Sequence, residues 1–135
     1  MKLISWKIAY FTSLATGLLL IFIGFRFFTV PIQAETDFGI HTGITHHFEF
    51  HYIKAIRDLA TGLLTIALLL NKEYRSLGWL MLCMSLVPVT DFLLVINNAS
   101  HPAGAIYPHL AAILICLTLG LYYLSTHKKT IGHAV

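Results

Sequence analysis

Lys54, Arg57 and Asp58 stand together inside an otherwise apolar stretch, and Asp91 and His109 are the ionisable residues of two later ones. Charged groups are expensive in an apolar medium, so such residues pair with one another, bind a ligand or handle protons. His51, Lys54 and Asp58 follow an i, i+3, i+7 spacing, continued by Thr61, Gly62 and Thr65, which describes one helix face. Lys54 and Asp58 are an i, i+4 pair of opposite sign that can neutralise itself. Asp91 has no opposite charge at i±3 or i±4. Its carboxyl must therefore reach another helix, hold a ligand or cation, or take up a proton. Arg57 is the expected partner, because a guanidinium fork grips a carboxylate in two places.

Three functions compete for this set. The leading one is a polar pocket for a small amphipathic or lipid-like molecule. Lys54 and Arg57 would hold an anionic or carbonyl group, while Asp58, Asp91 and His109 supply hydrogen bonds. The second is a structural or accessory subunit whose ion pairs only hold the protein, or a membrane partner or second copy, together. The third is a membrane isomerase or quinone-linked oxidoreductase with Asp91 as general acid and His109 as base. A translocation path lacks matching polar residues in the inner half of the membrane. No P-loop, GxGxxG or GxSxG pattern occurs, nor a facing pair of mid-depth histidines for haem, so no cofactor is assigned.

The stretch between the first two apolar runs carries His41, His46, His47 and His51 with Glu49 among them. His47 and His51, at i, i+4, are weak zinc candidates if a helix begins early enough to hold both. Without an HExxH pattern, a polar interfacial loop is the simpler expectation, and no metal site is assigned.

The elements that must position these residues are four apolar runs, at 5–28, 52–70, 77–97 and 106–125. Each is about 20 residues, enough to cross a ~30 Å hydrocarbon layer as a helix. Charged residues are only 11% of the chain and mean hydropathy is +0.76, which argues against a soluble globular protein. Strand-like alternation is absent, so an all-α integral membrane four-helix bundle is expected, one domain over 1–135. The net charge of +3 does not point to nucleic acid, because the basic residues cluster by topology. Lys2 and Lys7, Lys72 and Arg75, and Lys128 and Lys129 fall on one side of four spans. The positive-inside rule then makes both termini cytoplasmic in a multi-pass protein of the cell membrane. That orientation puts Asp58 roughly 9 Å below the outer end of its span, and Asp91 and His109 in the same outer layer.

Ile32-Gln33-Ala34 resembles a signal-peptide cleavage site, but the preceding apolar run is too long and Ile32 too large, so an uncleaved anchor is expected. Cys83 and Cys116 lack CxxC spacing and read as small apolar side chains. Pro88 removes a helix hydrogen bond three residues before Asp91, which predicts a kink with space beside the carboxyl. Ser13, Gly17 and Gly24 form a small-residue stripe for close helix approach. Arg26 lies about 200° around the helix from Gly24 and is expected to snorkel to the headgroups.

Gly24-Phe25-Arg26-Phe27-Phe28 with Pro31, Phe38-Gly39, Lys54-Ala55-Ile56-Arg57-Asp58 with Gly62, Gly78-Trp79, Val87-Pro88, Asp91 and His109 together resemble a known family over nearly the whole chain. It is the group of small four-helix membrane proteins catalogued as domain of unknown function 4267, similar in layout to DoxX-like proteins. The resemblance implies a four-helix bundle in a membrane and supplies no reaction. The histidine-rich segment departs from the family pattern.

Overall fold

The computed structural model describes residues 2–98, 101–102 and 104–127. All regular structure among them is helical: α1 (Lys2–Thr29), α2 (Pro31–Phe38), α3 (Glu49–Leu70), α4 (Tyr74–Met84), α5 (Leu86–Asn97) and α6 (Ile106–Thr126). Val30, restricted by the proline after it, leaves the helical region (φ −138°, ψ 61°) and ends α1. Pro31 then opens α2 at its first position, where a missing N–H costs nothing. Gly39 closes α2 at φ 98°, with its N–H on the Thr36 carbonyl and the Ile40 N–H on that of Glu35. Lys72, at φ 61°, ends α3 by the same pair of bonds and turns the chain tightly into α4.

Among the described residues, three helical stretches are long and apolar enough to cross a membrane: Ser5–Thr29, Tyr74–Asn97 and Ile106–Thr126. The second is α4 and α5 taken together. The helix is interrupted only at Ser85, which keeps helical dihedrals (φ −62°, ψ −22°). Pro88 cannot donate to Met84, the following Val89–Ser85 bond is stretched to 3.3 Å, and the Ser85 hydroxyl donates to Leu82 instead. The expected span at 52–70 is a helix of 22 residues, but Lys54, Arg57 and Asp58 set α3 apart from the three apolar ones. A short helix, α2, lies in what the sequence presents as a plain loop.

The helices pack as two pairs, α1 along α3 and α4–α5 along α6, with α2 folded back on α1. Small residues let α1 and α3 approach. A Cβ on Gly24 would lie 2.7 Å from the Ala55 carbonyl oxygen, and one on Gly62 would lie 2.6 Å from that of Gly17. One apolar cluster (Ala9, Leu69, Leu77, Met81, Cys116, Leu119, Tyr123) fills one end. There the Ser13 hydroxyl donates to Ala9 at 2.8 Å and meets the buried Tyr123 hydroxyl at 3.0 Å, tying α1 to α6. A smaller cluster of Phe27, Ala34 and Ala55 fills the other end. Outward faces carry Phe11, Leu18, Phe22, Leu63, Leu94, Leu114 and Leu121, all more than half exposed, as suits a lipid solvent.

The α1–α3 contact leaves no room for a methyl group. Gly24→Ala should lower unfolding stability in detergent by about 1–3 kcal/mol, whereas Leu63→Ala on the outward face should stay within about 0.5 kcal/mol. Thermal unfolding followed by circular dichroism measures both, and equal effects would contradict this packing.

Candidate functional site

Between the two apolar clusters lies a cavity of about 500 Å³, walled by α1, α2, α3, the α4–α5 helix and α6. Leu19, Leu20, Ile23, Met84, Val87 and Ile115 make most of its surface apolar, and Cys116 borders it as a free thiol. Its polar side gathers Arg26, Asp37, Lys54, Asp58, Asp91 and His109. Thus Lys54, Asp58, Asp91 and His109, from three different helices, border one space.

Arg57 does not join them. It is exposed on the other side of α3 and lines no part of the cavity, so it cannot be the partner expected for Asp91. The reason is angular: Arg57 is one residue from Asp58, about 100° around the helix, and Asp58 is the one turned inward. Arg26 corrects the opposite expectation. Its guanidinium is 2.7 Å from the Asp37 carboxylate and borders the cavity rather than only reaching the headgroups. The partner comes from α2, so the glycine stripe alone was a poor guide to where Arg26 points.

Most of the charge is paired off. Lys54 Nζ donates to Asp58 at 2.9 Å, the i, i+4 pair that the spacing indicates. The same ammonium sits 5.1 Å and 4.8 Å from the ring centroids of Phe27 and Phe38, so two aromatic faces hold it as well. Asp37 receives both Arg26 and the Gln33 amide. These bonds, Arg26 first, hold its carboxyl below the ordinary value. His109 Nε2 donates to the Phe38 carbonyl at 3.1 Å, with its ring edge-on to Phe38 at 4.6 Å. That bond docks the end of α2 on the start of α6. Asp91 differs from the rest: among the described residues its carboxylate has no hydrogen bond or ion pair, although Lys54, His109 and Asp58 are near enough to act on it electrostatically.

A second polar cluster sits beside this wall, in a shallower hollow of about 180 Å³ that shares Lys54, Phe27 and Phe38 with it. His51 Nε2 and the Glu35 carboxylate meet at 2.6 Å, both almost fully buried. The Thr42 hydroxyl donates to Glu35 at 2.7 Å, and the Thr42 N–H donates to its other oxygen. Burial pushes the Glu35 carboxyl up, but the Thr42 and His51 hydrogen bonds outweigh it and hold it below its ordinary 4.5. His51 Nδ1 is buried without a partner. His47, the other weak zinc candidate, is exposed at φ 64° and faces Glu49 at 3.5 Å. The described residues contain no group of three side chains suited to a metal.

Sequence reasoning missed Glu35, Asp37 and Phe38 because it treated α2 as loop. The signal was present: Pro31 and Gly39 bracket eight residues in which Ala34, Glu35 and Phe38 share a face. The Glu35–His51 pair predicts a pH dependence. A carboxyl whose folded pKa is lowered contributes stability above the unfolded value of about 4.5 and loses it as pH falls through the folded one. Glu35→Gln should cost about 1–3 kcal/mol at neutral pH and flatten the acid limb of the stability curve, read by thermal unfolding across acid to neutral pH. An unchanged acid limb would contradict this pairing.

A family model described as Domain of unknown function (DUF4267) matches residues 17–123, a stretch that contains Arg26, Asp37, Lys54, Asp58, Asp91 and His109. No curated protein and no solved structure matches the chain.

Proposed function

The chain belongs to that family of unknown function, and on this premise we propose that it is a multi-pass membrane protein whose cavity binds a small amphipathic molecule. In this reading α3 crosses the bilayer with the three apolar stretches, making a four-helix bundle in the cell membrane with both termini cytoplasmic. Its insertion is supported by its packing along α1 and by the Lys54–Asp58 pair, in which two opposite charges of the span neutralise each other. The positive-inside pattern then turns the α2 side of the protein outward.

One observation carries the reading. Lys54, Asp58, Asp91 and His109 border an open cavity instead of a closed, mutually satisfied layer. A purely structural network would fill that space with side chains, because lipid gives no hydrophobic drive and packing must hold the helices together. The volume lies within the range of small-molecule sites, and the wall has their composition, apolar with a few convergent polar groups. The occupant's tail lies along Leu20, Ile23, Met84 and Ile115, and its polar group lies toward Asp91 and His109. These two on one wall also favour a second reading, an acid–base reaction on the bound molecule, as an isomerase or a quinone-linked oxidoreductase would perform.

Filling the cavity tests binding without touching a charge. Protein extracted gently and examined by native mass spectrometry should carry a small-molecule adduct. Ala112→Phe, on the α6 wall, should lose most of it while helical content is kept. A wild-type protein without any adduct, or a variant that retains it in full, would contradict the proposal.

A further inference from the structure

We infer that the polar group of the occupant is a hydrogen-bond-donating cation, an alkylammonium, seated against the Asp91 carboxylate. The inference rests on the cavity being a binding site and adds the chemical class of what enters it.

Asp91 is the carboxyl of the wall that has no partner among the described residues. Arg26 is engaged by Asp37 at 2.7 Å and Lys54 by Asp58 at 2.9 Å, so both cations of the wall already have carboxylates. What is left is Asp91, with neither hydrogen bond nor ion pair among the described residues. His109 adds to this: its Nε2 is spent on the Phe38 carbonyl, and a neutral ring then offers only the lone pair of Nδ1. The two cations are matched by two of the wall's three carboxyl groups, and Asp91 is the one left over.

An anionic headgroup fits this poorly. To be held it must share Lys54 with Asp58 or Arg26 with Asp37, which brings a further negative charge to a pair that is already balanced. It also adds a like charge beside Asp91. An ammonium needs no existing pair broken. Its N–H groups match Asp91 directly, with the His109 ring on the same wall, and its charge is opposite to that of the carboxylate. The repulsion from Lys54 is reduced because Asp58 already compensates that ammonium. The sequence instead suggests Arg57 and Lys54 holding an anionic or carbonyl group; the inferred ligand group is a cation held by Asp91.

The test uses three amphiphiles of one tail length: dodecylamine, dodecanol and dodecanoate. Affinities are measured by microscale thermophoresis of the full chain in an uncharged detergent. The amine is expected to bind about tenfold more tightly than the alcohol, and the acid more weakly than either. Asp91→Asn should bring amine and alcohol to parity, and Asp91→Glu should restore the preference. Arg57→Gln, a change of exposed charge away from the wall, should leave the preference as it was, which separates the site from general surface attraction. Equal or tighter binding of the acid overturns the inference, as does an amine preference that survives Asp91→Asn. If none of the three binds while the protein remains folded, the cavity is not a binding site, and the inference falls with the reading beneath it.

Discussion

The Lys54–Asp58 pair sets how much charge the interior of this protein can carry. A lone ammonium or carboxylate midway along an apolar helix pays a large desolvation cost, and one turn of helix separates each of these from its neutraliser. Because the pair is satisfied within α3, that helix can lie close against α1, with Gly17, Gly24 and Gly62 meeting backbone carbonyls and the Ile21, Leu59 and Ile66 side chains at the contact. The aromatic faces of Phe27 and Phe38 close over the ammonium and bring α2 down onto the end of the bundle. His109 then reaches the carbonyl at the end of α2 and fixes α6 to it. The polar wall is thus assembled from one local pair and the contacts that cover it.

Apart from the exposed His47–Glu49 contact, the acidic–basic contacts at this end have different roles. Lys54–Asp58 is internal to one helix and holds no two elements together. Arg26–Asp37 links α1 to α2, and Glu35–His51 links α2 to α3, so the short helix is clasped on both sides. Asp91 takes part in none of them. That outlier, in a wall where every other carboxylate has a partner, is what the proposed binding reading rests on.

Much of this was legible in residue types and spacing. The apolar runs located the long helices, and the i, i+4 relation of Lys54 and Asp58 foretold their contact. The small residues of α1 foretold a close helix approach, which Gly17 and Gly24 make to α3, because helix geometry turns spacing directly into a shared face. What stayed hidden depended on relations between helices. Arg57 and Asp58 are adjacent in sequence, and only the rotation of α3 against α1 decides which faces inward. Arg26 looked like a lipid-facing anchor until α2 supplied Asp37. The brevity of α2 concealed it among polar loop residues, although Pro31 and Gly39 mark its ends.

On the proposed reading, the apolar wall of the cavity holds a ligand tail rather than enclosing an idle packing defect. Photo-crosslinking tests this most directly, with an alkylamine bearing a diazirine on its tail and the modified residues mapped by peptide mass spectrometry. Labels concentrated on Leu20, Ile23, Met84 and Ile115, which border the cavity, are the predicted result. Labels confined to outward residues such as Phe11, Leu94 and Leu121 would contradict it.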